Sequence, residues 1–327
     1  DPSSPRLWQF SLDTQEFTSY SFDGLTTMLL TQDNQGKIWF TDTPRNQIGY
    51  FDPSNQQIIT KSLPKIAPVI YENTATFIQA DFDGNIWIAI TNKDVILKYQ
   101  PEFDTFEEIK MPVRESLPFA LTIDDEGKIW FTESASGKIG FINPKNNNIS
   151  EFAPEKPLAS PEALVFDDEG NLWIAEHTGT AITKFNPILE TFERILVPDQ
   201  EALPYGMSFD RYGNIWISQH TIDKIAVYDP YNKNLIEIPI PTTTSFAQFT
   251  TSDNKDNVWF VEQQGNKLAM IKTTENPTII SQIQDVDSFQ LKYAEIVSPL
   301  IAMGIIATSL FFVKSLKDKR RLNELIM

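Results

Sequence analysis

One apolar stretch centred on tryptophan returns along most of the chain. It reads Ile38-Trp39-Phe40, Ile86-Trp87-Ile88, Ile129-Trp130-Phe131, Leu172-Trp173-Ile174, Ile215-Trp216-Ile217 and Val258-Trp259-Phe260. The tryptophans are spaced by 48 residues once and then by 43 four times in succession. A fixed period of this length belongs to arrays and propellers, in which each repeat is one supersecondary unit that cannot bury its own faces alone.

The flanks define the unit. Before each of the first five tryptophans stands a turn that opens on aspartate and closes on glycine, at Gly36, Gly84, Gly127, Gly170 and Gly213. Glycine there supplies the positive φ of a short hairpin with a bulge. Asp81 to Gly84 has a faint likeness to a calcium loop, but its recurrence in every first hairpin reads as turn chemistry. After the tryptophan come a polar loop and a further strand that ends in Asp52-Pro53, Asn143-Pro144, Asn186-Pro187 or Asp229-Pro230, where proline pre-sets a type I turn. A fourth strand follows, as in Thr191-Phe192-Glu193-Arg194-Ile195. No unit carries a helical period, so each is a four-stranded antiparallel sheet. The tryptophan strands are apolar without alternation, which requires cover on both faces. Radial stacking of sheets provides it, and the expected fold is an all-β propeller.

Six motifs give six blades, or seven if the N-terminal hairpin and residues 284–293 make one more. That hairpin, residues 6–22, resembles the third and fourth strands of a unit, so Trp8 is not a seventh motif. It is expected to close the ring by joining the last unit, residues 245–283. The expected domains are an extracellular propeller at 1–285, a linker at 286–293, a transmembrane helix at 294–313 and a cytoplasmic tail at 314–327. Residues 294–313 are a 20-residue apolar run with one charge, Glu295, long enough to span a bilayer. Lys314, Lys317, Lys319, Arg320 and Arg321 follow, and the positive-inside rule puts them in the cytoplasm and the propeller outside. Export requires a leader, so Asp1 is expected to follow a cleaved signal peptide. The formal charge of -17 repels nucleic acid and excludes a polyanion-binding role. The chain has no cysteine, hence neither disulfides nor thiolate metal sites.

A site is expected on the face of the proline-rich connectors, where the inner strands converge. The tryptophan strands end in Asp42, Glu133, Glu176 and Glu262, and the chain's two histidines, His177 and His220, follow two such ends in neighbouring units. His177 and His220 with Glu133 and Glu176 are candidate ligands for a divalent metal ion. Asp42, Glu162 and Glu262 are candidate acids of the channel face. The alternative is that the repeat simply places polar residues at equivalent loops.

The unit of Asp-x-x-Gly, Ile-Trp-Phe-Thr-Glu, Lys-Ile-Gly and an Asn-Pro or Asp-Pro turn resembles the virginiamycin B lyase (streptogramin lyase) family of β-propellers, over residues 6–283; a membrane segment would make this chain an anchored variant. The resemblance implies lyase chemistry using histidines just after the connector proline, an acid at the end of the tryptophan strand, and magnesium. The acid is present as Glu133, Glu176 and Glu262. At the histidine positions stand Phe119 after Pro118, Glu162 after Pro161, Tyr205 after Pro204, and Phe246 in the last unit. Two readings follow. In one, the propeller is an interaction or scaffold module, an accessory subunit that meets other membrane or envelope proteins through its loops and its apolar helix. In the other, it is a lyase-like or hydrolytic enzyme acting on a small extracellular molecule at the channel mouth.

Overall fold

A computed structural model of the chain describes residues 6–21, 29–68, 72–255, 257–265 and 267–273. The architecture is an all-β, six-blade propeller of four-stranded antiparallel blades. Blades 1 to 5 occupy residues 30–62, 75–110, 118–152, 161–196 and 204–239, each with four strands in sequence order; blade 6, residues 247–272, has three among the described residues. The first strand of each blade lies innermost, and from blade 1 to blade 6 each packs on the first strand of the blade after it, the contact of blade 6 with blade 1 aside.

The repeat is built on a hydrogen bond that recurs six times. The indole Nε1–H of Trp39, Trp87, Trp130, Trp173, Trp216 and Trp259 donates to the aspartate six residues earlier, at 2.7–2.9 Å. The other carboxylate oxygen of that aspartate accepts backbone N–H groups of the turn, as Asp124 does from Glu126 and Lys128. The carboxylate thus fixes the hairpin and satisfies a buried indole together, which is why aspartate and tryptophan keep one spacing.

The first five tryptophans then face the following blade: Trp39 lies among Ile86, Ile88 and Tyr99, Trp130 among Leu172, Ile174 and Phe185, and Trp216 among Val258, Phe260 and Ile271. In the Lys-Ile-Gly motif the glycine is required by packing. A Cβ on Gly140 would stand 2.6 Å from the Phe131 ring opposite it, and Gly49 has the same relation to Phe40. Where the tryptophan is followed by isoleucine, Ile174 and Ile217, the facing residues are Thr183 and Ala226.

Among the described residues the N-terminal hairpin, Arg6–Phe10 with Phe17–Ser21, is a separate two-stranded sheet. It was expected to enter the sheet of the last unit. Instead it stacks in the seam between blades 6 and 1: Phe10 lies 5.2 Å from Trp259, Lys255 reaches Asp13 at 2.8 Å, and Tyr20 lies 4.5 Å from Phe51. Trp259 therefore meets an aromatic neighbour, as Trp39, Trp130 and Trp173 do. Residues 284–293, considered for a seventh blade, and the segments at 286–293, 294–313 and 314–327 lie outside the described residues. Among the described residues no helix is long and apolar enough to cross a membrane.

Candidate functional site at the channel mouth

Two residues in each of blades 2 to 6 make the mouth among the described residues. The first is the residue after the start of the inner strand. Pairing of Pro118 with Glu133, Pro161 with Glu176, Pro204 with Gln219, Ala75 with Ile90 and Ala247 with Glu262 is followed in every case by a β-bulge. A bulge re-aims the side chain it carries, and Thr76, Phe119, Glu162, Tyr205 and Gln248 occupy it. The second residue follows the end of the tryptophan strand, and its backbone N–H is tied to the connector, as in His177 to Ser160 and His220 to Leu203. The mouth is therefore a ring of pairs: Thr76 with Thr91, Phe119 with Ser134, Glu162 with His177, Tyr205 with His220, and Gln248 with Gln263.

The pairs touch. The hydroxyls of Thr76 and Thr91 are 2.7 Å apart, Gln248 donates to Gln263 at 2.6 Å, Tyr205 lies 4.3 Å from the His220 ring, and His177 Nδ1 is 3.9 Å from Glu162 Oε2. Ser160 donates to Glu162 and lies 3.0 Å from the Ser134 hydroxyl. Phe119 and Tyr205 of the mouth join Phe77 and Phe249 in a connected set of rings. Phe77 of blade 2 meets Phe249 of blade 6 at 6.3 Å, a contact between the two blades that flank blade 1.

The two histidines come together as their repeat positions predict, with ring centroids 5.2 Å apart. His220 is buried, stacks on Phe246 at 4.6 Å, and its Nε2 has no hydrogen-bond partner among the described residues. Burial, and then the neighbouring His177, hold its pKa well below the ordinary imidazole value, so the ring is neutral. Burial, followed by the Glu162 charge, pushes the Tyr205 phenol up.

The strand-end acids do not join them. Successive residues of a strand point to opposite faces, so the residue before each mouth position turns the other way, over the third strand toward the fourth. Glu176 is buried and saturated: Arg194 of the fourth strand donates Nε–H at 2.6 Å and Nη2–H at 2.9 Å, the backbone N–H of Ala159 donates at 2.8 Å, and the Thr183 hydroxyl also donates to it. Glu133 accepts from Ser136 at 2.8 Å, and Asp42 accepts from Gln47 and Arg45. Glu262 is buried against Gly265. Of the candidate channel-face acids, only Glu162 lines the mouth. The four candidate metal ligands thus separate into a histidine pair and two outward carboxylates, and among the described residues no group of three or more His, Cys, Asp or Glu could hold a metal. The residues present do not fit magnesium: Glu162 is the one carboxylate among these mouth positions, and Glu176 has its oxygens filled by Arg194, Thr183 and Ala159.

One position read from the sequence shifts. Phe246 was matched to Phe119, Glu162 and Tyr205, but Ala247 occupies the proline register and Gln248 is the equivalent residue. The missed residues are Arg194, Glu151 and Glu237, each 18 positions after a strand end; adding the 43-residue period would have aligned them.

A sequence search of curated proteins finds no match. Among solved structures, the chain resembles a catalytically inactive virginiamycin B lyase from Staphylococcus aureus with Quinupristin, at 21% identity and a TM-score of 0.68 over 76% of this chain and 81% of that one. A streptogramin B lyase matches at 22% identity and a TM-score of 0.66, covering 77% and 84%. The extracellular domain of a proposed one-component system from B. thetaiotaomicron matches at 18% identity and a TM-score of 0.61, covering 79% of this chain and 37% of that one. At these identities the likeness is one of fold. The sequence profile of the Virginiamycin B lyase family matches residues 13–193 and 104–288, and the chain belongs to that family.

Proposed function

We propose that this propeller is a binding module whose channel mouth recognises a partner, and that it is carried outside the cell on an apolar anchor at 294–313. The observation that carries this reading is the saturation of Glu176 by Arg194 and Ala159. A carboxylate engaged by four donors is neither a proton acceptor nor a metal ligand, and the buried, neutral His220 lies under Phe246. Ring opening by elimination needs an acid and a base near neutral pKa within reach of substrate. The mouth instead offers polar side chains beside a connected set of aromatic rings, a composition suited to recognition. The resemblance to an extracellular domain of a proposed one-component system supports placement outside the cell and a role in sensing or assembly. Partners in this reading are other envelope or membrane proteins, reached through the mouth loops and the apolar segment.

A second reading, an enzyme acting on a small molecule at the mouth, draws on the Glu162 and His177 side chains, 3.9 Å apart on the rim. The test is purification of the full chain from its native cells in mild detergent. Binding predicts a stoichiometric companion that is lost from a Glu162→Ala, Tyr205→Ala double variant that remains folded. Recovery of the chain alone, or a companion indifferent to the double variant, contradicts it.

A further inference from the structure

The outward positions of blades 3, 4 and 5 can be compared atom by atom, because each is displaced from the next by the same 43 residues. In blade 5, Gln219 Nε2–H donates to Glu237 Oε1 at 3.0 Å, and Lys224 Nζ lies 2.8 Å from Glu237 Oε2. In blade 4, Glu176 and Arg194 form a charge pair. In blade 3 the same positions hold Glu133, Glu151 and Lys138, so two carboxyl groups face each other. Lys138 Nζ lies 3.3 Å from Glu151 Oε2, as Lys224 does from Glu237. Ser136 donates to Glu133 Oε2 at 2.8 Å. What remains is Oε1 of Glu133 and Oε1 of Glu151, both buried and both without a partner when the groups are counted as acceptors only.

Two buried acceptors facing each other are costly unless one of them carries a proton. Blade 5 shows where a proton would lie, since the amide hydrogen of Gln219 occupies that place. We propose that Glu133 is held in the folded protein as the neutral carboxylic acid, donating Oε1–H to Glu151 Oε1 and latching the second strand of blade 3 to its fourth. No bond other than this hydrogen bond is made, and the proton comes from solvent as the blade folds.

The groups facing the latch are Glu151 on the fourth strand, Lys138 on the third, Ser136 in the loop between, and Ser116 in the connector, whose hydroxyl lies 3.5 Å from Asp94 of blade 2. Burial raises Glu133 above the usual carboxylate range; the Ser136 and Ser116 hydroxyls oppose this, and the charge and hydrogen bond of Glu151 add to it. The latch adjoins the mouth, because the residue after Glu133 is Ser134, which lies 3.0 Å from the Ser160 hydroxyl that donates to Glu162. Loss of the proton would place two charges behind that rim, making the mouth sensitive to alkaline pH.

A group whose folded pKa is raised contributes stability that is fully present below its unfolded pKa, roughly 4.3, and lost as pH rises through the folded pKa. The experiment compares the full chain with Glu133→Gln, which copies blade 5, by denaturant unfolding from acid to alkaline pH. The expected result is a variant at least as stable as wild type near neutrality, with an advantage that grows as pH rises. A variant destabilised by the same amount at every pH would show that Glu133 is an anion and overturn the proposal. Infrared spectroscopy provides a reading independent of variant stability: wild type should show the C=O stretch of a protonated carboxyl at neutral pH, lost in Glu133→Gln or in Glu151→Gln, where the new amide donates to an ionised Glu133. Absence of that band from wild type would overturn the proposal whether or not the variants fold.

Discussion

The imidazole of His220 stacks on the ring of Phe246, 4.6 Å away and within 20° of parallel. One face of the ring is thereby closed by an apolar group, and His177 and Tyr205 contact it as well. A histidine so placed is a packed, neutral member of the mouth. Protonating it would put a charge into an apolar stack beside a second imidazole.

That arrangement sets a pH dependence of folding. Burial and His177 depress the His220 pKa, so in the acid range the unfolded chain binds a proton that the folded chain refuses. The stability contributed by the neutral ring is present above about pH 6.5, the unperturbed value, and is lost as pH falls below it. In His220→Phe this part of the acid slope should vanish while the stack on Phe246 survives. Denaturant unfolding of both proteins between pH 5 and 8, a window of roughly the histidine range, checks it. Parallel curves would contradict it.

Arg194 and Glu176 form a buried ion pair with two guanidinium hydrogen bonds. Replacing Arg194 by methionine leaves the Glu176 carboxylate buried with a backbone N–H and the Thr183 hydroxyl, and should destabilise the protein by about 3–5 kcal/mol. Replacing both residues by methionine should recover much of that loss, since no charge is then left unpaired. Thermal unfolding of the single and double variants reads the difference. Equal loss in both would show that the arginine acts through packing alone.

The Phe131 ring and Gly140 test the packing rule within the repeat. Gly140→Ala places a Cβ 2.6 Å from that ring and 2.6 Å from the Ser150 carbonyl oxygen, and should cost about 1–3 kcal/mol by overpacking. Adding Phe131→Ile reproduces the combination of Ile217 with Ala226 in blade 5 and should restore the part of the stability lost to the ring contact. A double variant no better than Gly140→Ala would show that the clash is relieved elsewhere.

These cases also show which features were legible in the sequence. The tryptophan period, the Asp-Gly turns and the Pro turns specify blades because each records local backbone chemistry or burial on both sheet faces. The direction of a side chain at a strand end is not such a signal. Glu176 and His177 are neighbours in sequence, yet strand alternation sends one to Arg194 and the other to Glu162. The bulge that aims Glu162 and Tyr205 into the mouth is a register shift, and a run such as Pro204-Tyr205-Gly206 does not announce it. The sixth repeat misled for a related reason, since Ala247 replaces the proline that marks the register elsewhere and Phe246 is displaced from the equivalent position. The placement of the N-terminal hairpin was half legible: its aromatic residues indicated a seat beside the last unit, but whether it would pair by edge or stack by face depends on neighbours far away in sequence.

The account turns on whether the mouth binds without catalysing. The direct measurement incubates the purified full chain with magnesium and a streptogramin B-type lactone and follows ring opening by chromatography against buffer. The account predicts no linear product above background, because Glu176 is occupied by Arg194 and Gln248, Tyr205 and Phe119 stand where proton-transfer groups would be needed. Turnover that disappears in Glu162→Gln or His177→Ala would contradict it and make the rim pair catalytic.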